Sequence, residues 1–586
     1  MNFKNKNTST YNKYPSIELK GLADHHYEGW QAILEKINHH KNELQKEHLI
    51  IGIECYTGVL LDEIKENFFA INADQIYFAS HYFKTETAID ALVYPDVTDD
   101  QVFGYLTRLH IIDFFDLERL AFIKQEISEK NGITIIIGTG AFLLAMPDIL
   151  IYADMPRWEG QLRFRRNEVS NLGVNNHLFK ASLQYKRAYF VDWRVCDRLK
   201  KQVYTNCDYF LETVNPGLPK MITAKAMTEG FREAISRPFR VVPFFDPGPW
   251  GGQWMKEVCG LDPRQENYAW CFDCVPEENS LIFSFDDRTF ELPALNLVFA
   301  HPSQLLGEAV HARFGDEFPI RFDFLDTMDG GSLSLQVHPA TEYIQEHFGM
   351  HYTQDESYYI LDAKEDAVVY LGLKEDINSG KLIDELKEAQ HTKLFEAEKH
   401  VNKWSAKKHD HFLIPAGTIH CSGKNCMVLE ISATPYIFTF KLWDWGRVGL
   451  DGLPRPINIE HGKKNIRWER TTQWVEKNLV NNTKQIATGE GWVEERTGLH
   501  QSQFIETRRH WFTGKVSHNT NGGVNVLCLV AGNEVVVESP DNAFEPFVVR
   551  YAETFIVPAA VGEYSIKPNA PLRENEKYAT MKAFVR

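Results

Sequence analysis

The sequence predicts a multidomain protein, with an α/β domain built on a parallel sheet followed by all-β barrels that carry an inserted helical layer. Three observations lead to this prediction. A chain of 586 residues is long enough for three or four domains. Apolar strand-like runs alternate with helical patterns before residue 235, which is typical of a βαβ layout. Short strands and a repeated Pro-Ala turn dominate the second half.

The first 235 residues contain the elements expected of the α/β domain. Trp30, Ile33, Leu34 and Ile37 recur at helical spacing, which predicts an amphipathic helix. The predicted elements are, in order, a mobile polar tail at 1–15, that helix at 27–48, and buried-type strands at 48–54, 133–144 and 149–157.

The segment IIGIECYTGVLLDEI follows the first predicted strand. Residues 48–215 resemble the uridine kinase type of P-loop domain, in which the phosphate-binding loop stands at this place. A working loop needs G-x-x-x-x-G-K-[ST], because Lys neutralises the phosphates and the hydroxyl holds magnesium. After Gly58 this chain has Val59, Leu60 and Leu61. We therefore expect a degenerate kinase-like scaffold without phosphotransfer.

A cluster of arginines stands in the segment DMPRWEGQLRFRRN, where such kinases carry a lid. Its members are Arg157, Arg163, Arg165 and Arg166. The cluster is either an anion-binding site or a solvated basic helix face, and the sequence leaves both open.

Two segments of the second half predict a metal site. In GGSLSLQVH, apolar residues alternate with polar ones, so Gln336 and His338 project side by side from one strand. Glu356 begins another predicted strand, and His420 follows a Pro-x-Gly turn in PAGTIH. A lone histidine is usually a satisfied core residue. Four such groups on apolar strands, however, are costly to bury without a common partner. We predict one divalent ion per chain, most simply zinc.

The ordered series of motifs after residue 240 resembles class I mannose-6-phosphate isomerase, a cupin family. There Q-x-H-P, a downstream Glu and a later P-x-G-x-x-H supply four zinc ligands. The other motifs that carry the resemblance are PWGGQWM at 249–255, LLGEAVHARFGDEFP at 305–319 and LWDWGRVGLDGLPRP at 442–456. The resemblance covers residues 240–586. It implies a zinc-dependent aldose–ketose isomerase acting on mannose 6-phosphate or a related sugar phosphate.

Two further residues are candidates for catalysis. Glu430, in MVLEIS, faces away from its apolar neighbours, and the family stretch also has this Glu; it is either the base or a structural hydrogen-bonding group. Lys441, in FKLWDW, stands where the family has Arg, so the charge is kept and the bidentate geometry is lost.

Several cationic positions of the family are changed in this chain. Gln354 stands where the family has a Lys, two residues before the metal-binding Glu. Asp323 stands where a Lys is common, with Arg321 two residues earlier. The segment SATPYIF replaces a Ser-Asp. These departures favour either an altered substrate or a metal-containing protein that binds or senses sugar phosphates without catalysis. A fused kinase–isomerase is disfavoured by the missing loop Lys.

An internal repeat aligns residues 411–420 with 554–563, so that Glu563 takes the place of His420. The second copy lacks a Q-x-H strand, which predicts a second barrel without metal. Helical patterns are expected at 284–320, 373–400 and 463–482. The predicted division is a tail at 1–26, a kinase-like domain at 27–235, a metal-binding cupin domain at 240–460 and a second cupin-like domain at 461–586.

Composition limits the partners and the compartment. A net charge of −17 argues against nucleic acid. We find no apolar run of about 18 residues and no secretory signal, so no membrane partner is expected. Nine cysteines without a signal predict reduced thiols in the cytoplasm, and the single C-x-x-C at Cys271 and Cys274 is attributed to packing. The sequence does not indicate an oligomeric state.

Overall fold

The computed structural model describes residues 9–449, 452, 454–501, 503–571, 573 and 576–586. Residues 1–8 of the predicted tail, and residues 450, 451 and 453 of one quoted motif, lie outside this part. The chain divides into two compact units. The N-terminal unit comprises residues 16–233 and 280–300, and the β unit comprises the described residues of 1–15, 234–279 and 301–586.

The N-terminal unit is an α/β structure. Its strands are Ile17–Glu18, His26–Glu28, His48–Cys55, Gln75–Phe78, Gly132–Gly138, Ile149–Asp154, Tyr209–Glu212, Lys220–Thr223, Ser280–Phe285 and Arg288–Pro293. Its α-helices are Gly29–Leu44, Leu61–Phe68, Glu86–Val97, Leu117–Glu129, Arg157–Arg165, Ala181–Arg187, Trp193–Val203, Ala224–Ser236 and Leu295–Ala300.

Seven strands of this unit form one sheet with the apolar strand His48–Cys55 near its centre. The order is His26–Glu28, Lys220–Thr223, Tyr209–Glu212, Ile149–Asp154, His48–Cys55, Gly132–Gly138 and Gln75–Phe78. The last five strands in that order are parallel, and the first two add on in antiparallel fashion. The prediction of a parallel sheet is therefore confirmed. Strands buried on both faces are expected to be mainly apolar, and this central strand is apolar from Leu49 to Ile53.

The hairpin Ser280–Pro293 differs from the predicted boundaries, which placed it in the domain at 240–460. It belongs to the N-terminal unit, where Phe283 pairs with Ile17 and a Cβ on Gly230 would lie 2.3 Å from the Phe283 ring. The helical pattern expected from residue 284 begins only at Leu295, because residues up to Pro293 complete this hairpin.

The β unit is built from antiparallel ladders. Its strands are Phe244–Asp246, Trp270–Cys274, Ile320–Asp326, Leu335–Val337, Glu356–Ala363, Val368–Leu373, Val401–Ser405, His411–Ile414, His420–Ser422, Cys426–Ala433, Phe440–Trp443, Lys484–Gly489, Trp492–Arg496, Ile505–Phe512, Val516–Asn519, Asn525–Ala531, Glu534–Glu538, Phe547–Arg550, Thr554–Val557, Glu563–Pro568 and Tyr578–Val585. Its α-helices are Trp254–Val258, Pro302–Leu306, Glu308–Phe314, Thr341–Phe348, Ser379–Thr392, Ile459–Gly462 and Thr472–Asn478.

The strands between residues 244 and 443 form two sheets whose inner faces meet. One has six strands, in the order His411–Ile414, Glu356–Ala363, Cys426–Ala433, Ile320–Asp326, Trp270–Cys274 and Phe244–Asp246. The other has five, in the order Val401–Ser405, Val368–Leu373, His420–Ser422, Leu335–Val337 and Phe440–Trp443. We call this pair the first sandwich.

The strands from residue 484 onward form a second pair of sheets, of six and four strands, which we call the second sandwich. Its core is apolar: Phe512, Leu527 and Phe555 of one sheet pack with Val535 and Ile566 of the other. Alternating apolar residues on facing sheets bury a common core in this way.

Residues 9–15 differ from the predicted mobile tail, because they pack into the β unit. The Tyr11 ring is buried and its hydroxyl donates to Asp273 Oδ1 at 2.8 Å. The backbone N–H of Asn12 donates to Glu553 Oε1 at 2.7 Å. Arg240 donates to the Asn12 carbonyl and also pairs with Glu553 at 2.8 Å. These buried partners lie some 230 to 540 positions away along the chain, so local sequence could not indicate them.

Candidate metal centre

Gln336 and His420 lie opposite each other on neighbouring antiparallel strands of the five-stranded sheet. Residues paired in this way project to the same face. His338, two positions after Gln336, shares that face by the period of a strand. Gly417, in the turn before His420, has φ +87°, and a Cβ there would lie 2.8 Å from the Asn465 carbonyl oxygen. The turn that places His420 therefore requires glycine.

Glu356 reaches the same point from the facing six-stranded sheet. Its Oε1 lies 2.8 Å from His420 Nε2, and its Oε2 lies 3.1 Å from His338 Nε2. All three side chains are fully buried. Their ligand atoms lie within 4.8 Å of one another, as they would around one ion.

Both histidines are oriented by backbone carbonyls. His338 Nδ1 lies 3.2 Å from the Phe438 oxygen, and His420 Nδ1 lies 2.8 Å from the Thr418 oxygen. A carbonyl oxygen only accepts, so each Nδ1 carries a proton, and the other ring nitrogen, Nε2, is the atom that faces Glu356. Metal-binding histidines are commonly held by such a contact through the other ring nitrogen.

The buried atoms at this point lack other partners. His338 Nε2 and Glu356 Oε1 make no hydrogen bond with the described residues, although His338 Nε2 lies close to Glu356 Oε2 and Glu356 Oε1 lies close to His420 Nε2. Lone pairs and a carboxylate facing each other in a dry interior are unfavourable without a shared cation. The Gln336 amide lies 3.3 Å from His420 Nε2 and can turn its oxygen to the same point. This donor set of two imidazoles, one carboxylate and one amide fits a divalent metal such as zinc.

Glu430 lies on the same inner face of the six-stranded sheet as Glu356, one strand away and outside the three-residue cluster. Its Oε1 accepts from Ser432 Oγ at 3.0 Å and from Gln354 Nε2 at 3.3 Å. The Gln354 amide also donates to Glu356 Oε2 at 3.0 Å, so it links the two carboxyls. Burial, followed by the charges of Glu356 and Asp323, raises the pKa of Glu430 well above its usual range.

Lys441 lies directly opposite Gln336 on the outer strand of the five-stranded sheet, so both side chains project from the same face. Its side chain is half-buried. Burial and the neighbouring Arg455 guanidinium lower the pKa of Lys441 to about 8. Asp444 opposes this shift and also binds Arg455 at 3.0 Å.

The charge balance of the cluster is set by its histidines. Burial by itself raises the pKa of Glu356, but the charges of His338 and His420, when these imidazoles are protonated, hold that pKa well below its usual range. A cation bound by the unprotonated Nε2 atoms would favour the carboxylate in the same way. The carboxylate is therefore ionised and available as a ligand.

The sequence predicted the three residues of this cluster, His338, Glu356 and His420, but not the backbone groups that orient the two histidines. The carbonyls of Thr418 and Phe438 carry no sequence signal. Ser432 could have been found, since it alternates with Glu430 along one strand. Glu563, which aligns with His420 in the repeat, is exposed at the start of its strand and pairs with Asn519.

Three of the four arginines in the N-terminal cluster bind other groups of the same unit. Arg163 is fully buried and donates to Glu159 at 2.9 Å, to the Gly58 carbonyl at 2.8 Å and to the Thr213 carbonyl. Arg157 pairs with Asp197 at 2.5 Å. Arg157 and Arg163 therefore form neither a solvated helix face nor an anion-binding site, because both are buried and bound to carboxylates of the protein. Arg166 also binds carboxylates, those of Glu159 and Glu168.

A crevice of about 680 Å³ opens at the carboxyl ends of the parallel strands in the N-terminal unit. Its walls include Thr57, Lys84, Arg119, Thr139 and Asn175. Ligands of open α/β sheets bind at this edge. Most polar side chains of the wall already have protein partners, such as Lys84 with the Asp113 carbonyl and Thr139 with the Cys55 carbonyl.

Comparison with known proteins finds one family model and several relatives that each match part of the chain. Residues 29–236 match a family described as a domain of unknown function, DUF8485. Among curated proteins, the mannose-6-phosphate isomerase ManA of Bacillus subtilis is 27% identical over 236 residues, which cover 39% of this chain and 67% of ManA. The probable mannose-6-phosphate isomerase GmuF of the same organism is 23% identical over 344 residues, or 57% of this chain and 97% of GmuF. Part of this chain is thus homologous to mannose-6-phosphate isomerases.

Solved structures of mannose-6-phosphate isomerases also align with this chain. The Bacillus subtilis enzyme aligns with a TM-score of 0.48 and 17% identity, over 59% of this chain and 99% of that enzyme. A point mutant of phosphomannose isomerase from Salmonella typhimurium aligns with a TM-score of 0.46 and 14% identity, over 60% and 100% of the two chains. Across the described residues, every helix is too short or too polar to span a bilayer.

Proposed function

We propose that the chain is a metal-dependent aldose–ketose isomerase of a sugar phosphate, with mannose 6-phosphate as the leading substrate and zinc as the ion. The observation that carries the proposal is the meeting of His338, Glu356 and His420 with both imidazoles turned by backbone carbonyls. Homology to mannose-6-phosphate isomerases supports it.

Gln336, His338, Glu356 and His420 would hold the ion, one per chain. When bound, a divalent ion there supplies a Lewis acid that polarises a sugar carbonyl. The inner faces of both sheets around these residues are buried, so the protein excludes water from the reacting carbons.

Glu430 is proposed as the group that moves the proton between the sugar carbons. Among the described residues, its hydrogen bonds from Ser432 and Gln354 both reach Oε1, which leaves Oε2 to hold and pass a proton. A carboxyl whose pKa burial has raised has the proton affinity that this step needs.

Lys441 is proposed as the cation that balances the phosphate or the charge developing on the sugar oxygens. It projects from the same sheet face as Gln336, one strand away. A positive charge in a partly desolvated position stabilises such charge more than it would in water.

The second candidate function is a metal-containing protein that binds or senses sugar phosphates without catalysis. One contact favours it: the uncharged Gln354 amide, at the position where the isomerase pattern has a Lys, donates to both Glu356 and Glu430, so this position supplies no positive charge to a reacting sugar.

The N-terminal unit is proposed to be a kinase-like scaffold that transfers no phosphate. Arg163 holds the Gly58 carbonyl, so the loop after the central strand is fixed by the protein itself. We also propose that residues 461–586 form a metal-free domain, and that the protein works in the cytoplasm on a small molecule rather than on nucleic acid or membrane. Nine unpaired, buried cysteines support that compartment.

The test is turnover of a panel of aldose and ketose phosphates by the metal-loaded protein, before and after chelation and again after zinc is restored. We expect interconversion of mannose 6-phosphate and fructose 6-phosphate that chelation abolishes and zinc restores. Binding of these phosphates without turnover would support the second candidate instead.

A further inference from the structure

Arg321 and Asp323 lie on the inner face of the first sandwich, on the strand Ile320–Asp326. Arg321 is opposite Ser432, and Ser432 is in turn opposite Glu356 on the next strand. Asp323 is opposite Glu430. Residues opposite one another share a sheet face, so this pair belongs to the same interior as the candidate metal ligands.

The pair is buried and only partly satisfied. Arg321 is 4% exposed and Asp323 is 2% exposed. One Arg321 nitrogen, Nη2, binds Asp323 Oδ2. The other two, Nε and Nη1, make no hydrogen bond with the described residues, and neither does Asp323 Oδ1. The guanidinium also stacks over the Tyr436 ring at 5.1 Å, which fixes its plane.

Unsatisfied buried donors and acceptors are costly, more so when the group is charged. Nearby, Gln354 Oε1 is also buried without a hydrogen bond. The interior of the first sandwich therefore contains two donors without hydrogen-bond partners, Nε and Nη1 of Arg321, and two such acceptors, Asp323 Oδ1 and Gln354 Oε1. A polar molecule that both donates and accepts must complete them.

The mixture of groups defines the chemistry of that molecule. A phosphate needs donors and cations only, and the Asp323 carboxylate would repel it. A sugar hydroxyl donates to one group and accepts from another, and the Arg321–Asp323 pair carries no net charge. We propose that Arg321 and Asp323 bind the uncharged hydroxyl chain of the sugar and act as specificity-determining residues of the first sandwich.

This assignment fixes how the ligand lies. The hydroxyl chain contacts the six-stranded sheet, and an attached phosphate is left to Lys441 on the five-stranded sheet. The identification of this ligand with a substrate rests on the proposed function, whereas the hydroxyl-binding pair itself does not.

The test is calorimetric titration of the zinc-loaded full chain with D-mannitol, an open-chain hexitol without phosphate. The double variant Arg321→Met/Asp323→Leu removes both charges together, a replacement that buried pairs often tolerate without loss of stability. We expect the wild type to bind mannitol and the double variant to bind it at least tenfold more weakly, with metal content unchanged. Arg321→Lys is the second variant. It keeps the charge beside Asp323, removes the guanidinium fork and should also weaken binding several-fold.

The matched control is Arg509→Met/Glu495→Leu, which removes a 2.8 Å arginine–carboxylate pair of the second sandwich and should leave mannitol binding unchanged. Wild-type mannitol affinity in Arg321→Lys or in the folded double variant would overturn the proposal, since the pair would then be structural and its free atoms bound to water. Absence of mannitol binding by the wild type would overturn it as well. This experiment measures binding and not turnover. If the wild type binds mannitol and the variants bind it more weakly as predicted, but the protein shows no isomerase activity, the result counts against the proposed function and not against the hydroxyl-binding pair.

Discussion

Gln336 and Lys441 are cross-strand partners in the first sandwich, so a candidate ligand and a candidate cation project from the same sheet face side by side. Adjacent strands lie about 5 Å apart, which brings the flexible Lys441 side chain within reach of a ligand bound next to Gln336. This relationship places Lys441, one of several positions at which the chain departs from the isomerase pattern, beside the candidate metal centre.

Replacing Lys441 tests whether this proximity serves catalysis. Lys441→Ala should lower kcat/KM for mannose 6-phosphate by about 10²-fold or more, as the loss of an oxyanion-type donor does. Lys441→Arg should keep or improve it, because a guanidinium can bind an anion with two prongs. Lys463→Ala, which changes a partly exposed residue paired with Glu460, is the control. Full activity in Lys441→Ala would refute the role.

The N-terminal unit should not turn over ATP. The loop after the central strand has neither the Lys nor the Ser/Thr of a working phosphate loop, and Arg163 occupies its Gly58 carbonyl. We expect no magnesium-dependent release of phosphate from ATP in a steady-state assay. Turnover that disappears when residues 52–58 are mutated would show that this unit is an active enzyme.

The second sandwich should hold no metal. Glu563 is exposed, and the buried His510 and His518 of this sandwich do not form a three-residue metal-binding group with it among the described residues. Glu563→Ala should therefore leave the metal content of the chain unchanged, as measured by elemental analysis. A second equivalent of zinc that this variant loses would contradict the prediction.

Glu54 should make the N-terminal unit less stable as the pH rises. Burial raises the pKa of Glu54 to about 8, despite hydrogen bonds from the Gly140 and Phe142 N–H groups. Between about pH 5 and 8 the folded state then binds more protons here than the unfolded chain, whose carboxyl has an ordinary pKa, so the free energy of unfolding falls with rising pH. The melting temperature should be lower at pH 7.5 than at pH 5.5, and this difference should be smaller in Glu54→Gln than in the wild type.

Glu47→Gln, which changes an exposed residue just before the same strand, is the control for that experiment and should melt as the wild type does. Equal pH dependence in wild type and Glu54→Gln would mean that Glu54 titrates at its ordinary pKa.

Features that depend on residues close together in the sequence could be predicted from it. The i, i+2 spacing of Gln336 and His338 and the Pro-x-Gly turn before His420 follow from strand geometry, and so does the apolar central strand of the parallel sheet. The same patterns predicted a helix at 27–48, and the structure has Gly29–Leu44.

Long-range partners could not be predicted in this way. Nothing near Arg163 in the sequence indicates that its guanidinium donates a hydrogen bond to the carbonyl of Gly58, more than a hundred positions earlier. The packing of Tyr11 against Asp273 and the membership of the hairpin Ser280–Pro293 in the N-terminal unit likewise depend on distant segments. The partnerless atoms of Arg321 became visible only in three dimensions.

The most direct test of the proposed metal centre is the metal content of the chain after expression with zinc. We predict about one equivalent per chain by elemental analysis, and well under half an equivalent in His338→Ala and in His420→Ala, because each removes one ligand. His400→Ala is the matched control: it removes a histidine that also lies against a carboxylate, at 2.6 Å from Glu385, but outside the centre, and should keep the full equivalent. Well under half an equivalent in the wild type, or full retention in both ligand variants, would contradict the central claim.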